Sequence, residues 1–127
     1  MLSHVTIGTN DVERAKAFYS AILGVIGGQE MPMGVSGERC SFARRPDEPM
    51  IVVTKPFDGN AATCGNGTMI GLRCKDKAEV QAVYDKAMEH GAPSEGEVGP
   101  RGDHGQFYGG YFRDPDGNKL SAFTMND

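Results

Sequence analysis

The sequence predicts an α+β fold made of two βαβββ modules, and three observations carry that prediction. A strand-then-helix pattern occurs twice, 65 residues apart and in the same register. After each copy the chain turns to short stretches of strand-like alternation. The 18 glycines in 127 residues are spread over the whole length without a short fixed period, which fits many short elements joined by tight turns and excludes collagen-like or low-complexity chains.

The first strand is read in His4-Val5-Thr6-Ile7-Gly8-Thr9, which alternates like a half-buried strand. Asn10 and Asp11 then offer side-chain oxygens to the start of a helix. Within that helix Ala15, Phe18, Tyr19, Ile22 and Leu23 fall at i, i+3, i+4, i+7 and i+8, one apolar face of a 3.6-residue period, and Gly24 is the expected stop. Three strands are expected next, at 29–33, 39–44 and 50–54, separated by Gly34 and Gly37 and then by Arg45-Pro46-Asp47-Glu48-Pro49.

The second copy opens with the strand Met69-Ile70-Gly71-Leu72-Arg73-Cys74. Asp76, with Glu79 three residues on, reads as a capping box. Val80, Val83, Tyr84, Ala87 and Met88 repeat the apolar face, and His90 and Gly91 close the helix. Strands follow at 94–98, 108–113 and 119–124, separated by a glycine-rich loop at 99–105 and by Asp114-Pro115-Asp116-Gly117. Asp11 matches Asp76, Ala17 matches Ala82, Tyr19 matches Tyr84 and Leu23 matches Met88, always at the same offset. The chain therefore reads as one domain, 1–127, with a first module at 1–54, a linker at 55–66 and a second module at 67–127. Each half is too small to bury an adequate core alone.

Composition narrows the function. Hydrophobic residues are 39% and charged residues 24%, ordinary for a globular domain, and no apolar run is long enough for a spanning helix. No basic segment followed by an apolar stretch opens the chain, so a cytoplasmic protein is expected. The net charge is −4 with the basic residues scattered, which argues against nucleic acid as a partner. Cys40, Cys64 and Cys74 are odd in number and lack C-x-x-C spacing, so free thiols are expected in place of a disulfide framework or zinc site.

The strand His4-Val5-Thr6-Ile7, the helix Arg14-Ala15-Lys16-Ala17-Phe18-Tyr19 ending in Leu23-Gly24, the repeat, and the closing Phe112-Arg113-Asp114-Pro115-Asp116-Gly117-Asn118-Lys119-Leu120 together carry a resemblance. Over essentially its whole length the chain resembles the vicinal oxygen chelate superfamily of glyoxalases, bleomycin resistance proteins and extradiol dioxygenases. The resemblance implies a glyoxalase-like fold with a cleft of curved mixed sheet, a small-molecule ligand and a homodimer, in some members with modules exchanged between subunits. In metal-dependent members a divalent ion is held by one side chain from the first and one from the last strand of each module, and its Lewis acidity stabilises an enediolate.

Of those four positions only the first carries a competent ligand, His4. Met69 stands where metal-binding relatives have histidine, and a thioether is a poor ligand for hard ions. Ser121 stands where they have glutamate, and strand 50–54 contains no carboxylate. The resemblance thus implies a degenerate metal site: no cofactor is assigned, and a divalent metal is disfavoured. His4 is the candidate catalytic group, as a neutral base or hydrogen-bond donor, or else a strand histidine satisfied by a backbone partner. Met69, Ser121, His104 and Tyr108 are the candidate ligand-binding residues, His104 in a loop suited to a lid and Tyr108 on a strand lining the cleft. Among Phe107, Tyr108, Tyr111 and Phe112, one alternating pair is expected to face inward. Three readings follow: a glyoxalase-like cytosolic protein acting on or binding a small organic molecule with its metal site degenerate, lactoylglutathione lyase-like or dioxygenase-like if it is an enzyme; a non-catalytic protein sequestering a drug or metabolite; and a metal-dependent lyase or dioxygenase with unusual ligands such as His4 and His104.

Overall fold

The computed structural model describes residues 1–32 and 37–126. In chain order its elements are β1 (His4–Gly8), α1 (Val12–Val25), β2 (Gln29–Met31), β3 (Arg39–Ala43), β4 (Met50–Thr54), β5 (Met69–Arg73), α2 (Lys77–Glu89), β6 (Ser94–Arg101), β7 (Phe107–Arg113) and β8 (Lys119–Thr124). They form two four-stranded mixed sheets, ordered β1-β4-β3-β2 and β5-β8-β7-β6. In each sheet the first and last strands of the module pair in parallel, with His4 opposite Met50 and Met69 opposite Lys119, and the other pairs are antiparallel. The repeat read from sequence is therefore a repeat in space.

Both helices start as the sequence requires. The carboxylates of Asp11 and Asp76 accept hydrogen bonds from the backbone N–H groups of Arg14 and Glu79, at 3.0 and 2.9 Å, satisfying donors that have no partner within the helix. Glu79 turns back as in a capping box, but it takes the N–H of Lys75, at 2.7 Å, one residue before the cap.

The helix ends differ from expectation in one respect. Gly24 lies inside α1, and the chain leaves the helix at Gly27, whose φ of +84° an L side chain rarely adopts. The N–H groups of Gly27 and Gly28 bond the carbonyls of Gly24 and Leu23. Gly91, at φ +79°, ends α2 with the same pair of bonds, from Gly91 and Ala92 to Met88 and Ala87. The stop comes one residue later in the first module than the 65-residue offset implies.

Strand limits also need correction. The strand expected at 29–33 is β2, which ends at Met31; residues 33 and 34 lie outside the described residues. The expected loop at 99–105 gives up its first three residues to β6, because Gly99, Pro100 and Arg101 pair with Gly109, Tyr108 and Phe107 after two register shifts. Glycines in the sequence read as loop, but here they mark the irregular pairing of a long edge strand.

The predicted apolar faces form the core. Ala15, Phe18, Tyr19, Ile22 and Leu23 are buried on α1, as are Val80, Val83, Tyr84 and Ala87 on α2, while Met88 is half-buried. Burial of side chains of this size contributes about 1.5–3 kcal/mol each. The two helices pack on one another, and edge-on aromatic contacts continue from one module to the other. Phe18 of α1 lies 6.4 Å from Phe112 of β7, which lies 6.4 Å from Tyr84 of α2.

Polar contacts lock the same junction. Tyr19 donates its hydroxyl proton to Asp114 at 2.6 Å, across the modules and out of water. Asp116 accepts from Thr9 Oγ1, the backbone N–H of Asn10 and the Arg14 guanidinium, at 2.5, 2.8 and 3.0 Å. Asn118 donates to the carbonyl of Gly8 at 3.0 Å. The turn Asp114-Pro115-Asp116-Gly117-Asn118 thus serves as a clamp on the β1–α1 junction as well as a turn.

Burial, and then the Asp114 carboxylate, hold the Tyr19 hydroxyl well above the ordinary phenol range. The folded state keeps a proton that the unfolded state releases near pH 10. This contribution to stability is therefore complete below about pH 10 and is lost as the pH rises above it. Tyr19→Phe is expected to lower the free energy of unfolding by about 1–3 kcal/mol with an unchanged denaturant slope. Its stability is also expected to fall less steeply than that of the parent above pH 10, as measured by urea unfolding across pH.

Candidate functional site

Successive side chains in a strand point to opposite faces, and each sheet carries its helix on one face only. In the first sheet Ile7, Cys40, Phe42, Ile51 and Val53 join the core beneath α1. The pairing register puts His4, Arg39, Ser41 and Val52 on the other face. In the second sheet Ile70, Leu72, Tyr108, Phe112, Leu120 and Ala122 join the core beneath α2. Met69, Gly71, Phe107, Tyr111, Ser121 and Phe123 occupy the other face. Among the described residues no helix or further strand packs against either of these open faces.

The structure brings Met69 and Ser121 onto one surface. Ser121 is 4% exposed and sits directly opposite Tyr111 on β7 and Gly71 on β5. Met69, two residues along β5 from Gly71, is half-exposed at the edge. Among the described residues nothing hydrogen-bonds the Ser121 hydroxyl, which leaves its donor and acceptor capacity for a bound molecule.

The other three candidates lie elsewhere. His4 is exposed on the open face of the first sheet, with Nδ1 2.8 Å from Ser3 Oγ. His104 lies exposed in the turn after β6, where its backbone N–H bonds Gln106 Oε1 at 2.9 Å. Tyr108 turns to the helix side, packing against the core with Lys77 Nζ 5.2 Å from its ring centre. Residues 108 and 112 share the covered face, so the open face of β7 belongs to Phe107 and Tyr111. Tyr111 is the residue that the sequence left open, since alternation fixes the pairs but not which pair meets the helix.

Tyr111 is flanked by cations, with the Arg101 guanidinium 5.3 Å and Lys119 Nζ 5.5 Å from its ring centre. Arg73 lies 5.9 Å from the centre of Phe123. Met50, Val52 and Thr54 are the open-face positions of β4, and Lys119, Ser121 and Phe123 those of β8. None is a carboxylate or imidazole, and a lysine ammonium stands beside Ser121's strand neighbours. Among the described residues no three His, Cys, Asp or Glu side chains converge. This donor set does not fit the divalent ion that metal-dependent members of the resembled family hold.

A groove of about 590 Å³ runs between the modules. Leu23, Ile26, Phe42, Ile51 and Leu72 line it, with Arg44 and Glu48 at its mouth, hydrogen-bonded at 2.8 and 2.9 Å. Of the candidate residues only Met69 reaches it. No helix of the described chain is long and apolar enough to cross a membrane.

Comparison with known proteins agrees with this geometry. The family model described as the Glyoxalase/Bleomycin resistance protein/Dioxygenase superfamily matches residues 1–121. A glyoxalase/bleomycin resistance protein from Albidiferax ferrireducens is 34% identical, with 98% of each chain covered and a TM-score of 0.84. A glyoxalase/bleomycin resistance protein/dioxygenase family enzyme from Burkholderia phytofirmans is 19% identical, with 97% of each chain covered and a TM-score of 0.76. A lactoylglutathione lyase from Agrobacterium tumefaciens is 21% identical over 98% of this chain and 92% of its own, with a TM-score of 0.71. The last two show a common fold. No curated protein matches the chain.

Burial, and then Glu79, push the Cys74 thiol up to about 12, and burial, followed by Glu30, raises that of Cys40. Cys64 is exposed. A thiol reagent at pH 8 is expected to modify one cysteine rapidly in the native protein and three after unfolding, and Cys64→Ser is expected to remove the rapid phase.

Proposed function

The chain belongs to the Glyoxalase/Bleomycin resistance protein/Dioxygenase superfamily, and from that premise we propose that it binds a small organic molecule on the open face of its second sheet. The observation that carries this reading is the uncovered surface made by Met69, Tyr111 and Phe123 around the Ser121 hydroxyl. A thioether and aromatic rings accept flat apolar matter, and a hydroxyl without an internal partner orients it. The three free thiols support a reducing, cytoplasmic setting.

The cleft in this reading is completed by a second copy of the chain. His4 and Ser121 belong to different sheets, whose modules meet through helices and the clamp and share no strand pairing among the described residues. In a homodimer the first sheet of one copy would stand over the second sheet of the other, bringing a His4 toward Ser121 and covering two exposed methionines, Met31 and Met69.

A catalytic role for His4 is the second reading, favoured by the Ser3 hydroxyl that orients its ring. If Nδ1 carries the proton and donates it to Ser3, Nε2 is left as a base. If Ser3 donates instead, Nε2 bears the proton and serves only as a donor. In either case the reaction proceeds without a step through a metal ion, and simple sequestration of the ligand stands as the outcome if no turnover is found.

Light scattering on the eluting protein is expected to give twice the chain mass. A thermal-shift screen of small aromatic and aliphatic metabolites is expected to yield stabilising ligands, with affinity lowered about tenfold or more by Tyr111→Ala. A monomer with no stabilising ligand would sink the reading. Retention of any turnover in His4→Gln would remove the base role while leaving ligand binding in place.

A further inference from the structure

The chain carries a net charge of −4, yet the open face of the second sheet is locally positive. Arg73, Arg101, Arg113 and Lys119 all lie there or at its rim, and the acid engaged with them is Glu95. That carboxylate is committed to Arg113, at 2.7 Å, and Arg113 also donates to the carbonyl of Gly117 at 3.0 Å. Lys119 also feels the Glu95 carboxylate without a contact ion pair, and Arg73 and Arg101 form no ion pair among the described residues. The Arg101 guanidinium donates to the backbone carbonyls of Pro100, at 3.0 Å, and Glu97, which fix its direction without neutralising its charge. Lys119 approaches the same Tyr111 ring that Arg101 stacks upon.

Two cations within 6 Å of one ring centre repel each other, and the electron density of the ring offsets only part of that repulsion. An anion beside the ring would relieve it. Gly71 lets the Phe123 ring and the Ser121 hydroxyl close over β5, since a Cβ there would come within 3.2 Å of the ring and 3.3 Å of Ser121 Oγ. The open face thus brings together an aromatic ring, a hydroxyl without an internal partner and two cations.

Resting on the small-molecule reading above, we propose that the ligand is an organic anion: a carboxylate, sulfonate or phosphonate on a flat apolar frame. Its charged group is held by Arg101 and Lys119 beside Tyr111, its apolar body covers Met69 and Phe123, and Ser121 donates to an oxygen of the ligand. Charge-assisted bonds of this kind are roughly twice as strong as neutral ones, so the two cations set selectivity as well as affinity.

The test compares two fluorescent probes of the same shape on the intact protein: 8-anilinonaphthalene-1-sulfonate and its uncharged counterpart N-phenyl-1-naphthylamine. The anion is expected to bind about tenfold tighter. Lys119→Gln and Arg101→Gln are each expected to weaken the anion several-fold while leaving the neutral probe unchanged, and Arg101→Lys is expected to restore most of the loss. Arg101 also shapes the irregular stretch of β6, so Lys119→Gln, on a regular strand, decides the matter if Arg101→Gln unfolds. Equal affinity for the two probes, or anion binding indifferent to Lys119→Gln, overturns the charge selectivity and leaves the ligand-binding reading standing. Failure of both probes to bind overturns both.

Discussion

The Asp114 carboxylate lies 2% exposed where the two modules touch, and four donors surround it: the Tyr19 hydroxyl, the backbone N–H groups of Asp116 and Asn118, and the Asn118 side-chain amide. A carboxylate out of water is costly unless its oxygens are occupied, and three of these donors come from its own turn. The fourth comes from the other module. Assembly of the turn therefore leaves one acceptor to be filled, and only correct seating of α1 on the second sheet fills it. Asp116 extends the same logic to Thr9, Asn10 and Arg14. The pairing of two small half-domains thus depends on a five-residue turn in addition to the shared apolar core.

This constraint explains what the open faces have available for function. The clamp and the helix contacts use the covered side of both sheets, so the other side is left free. It also accounts for the acids. Asp114 and Asp116 are consumed in structure, Glu95 is paired with Arg113, and the strand positions nearest Ser121 carry methionine, glycine, tyrosine and lysine. The surface that remains suits recognition of an apolar or negatively charged molecule more than coordination of a hard cation.

Much of the fold was legible because its signals are local. Cap residues, a 3.6-residue apolar face and a constant offset specify both helices without knowledge of the rest of the chain. The errors fell where tertiary context decides. Gly24 reads as a stop, but the helix continues to a Schellman ending at Gly27, since the burial of Leu23 and the following bonds favour one more turn. Glycines at 99, 102 and 105 read as one loop, but the first of these pairs with β7. In the candidate site, alternation could place Tyr108 or Tyr111 on the open face, and only the packing of α2 decides for Tyr111. The cross-module role of Asp114 was hidden for the same reason: nothing in a turn motif says what lies on its far side.

The central claim is that the ligand surface is the open face of the second sheet and not the groove between the modules. Amide NMR of the labelled protein titrated with the naphthalene sulfonate probe tests it most directly. Shifts concentrated at Tyr111 and Ser121, with smaller ones at Arg101 and Lys119, are what the account predicts. Shifts concentrated instead at Leu23, Ile26 and Phe42, with the β7–β8 amides unmoved, would contradict it.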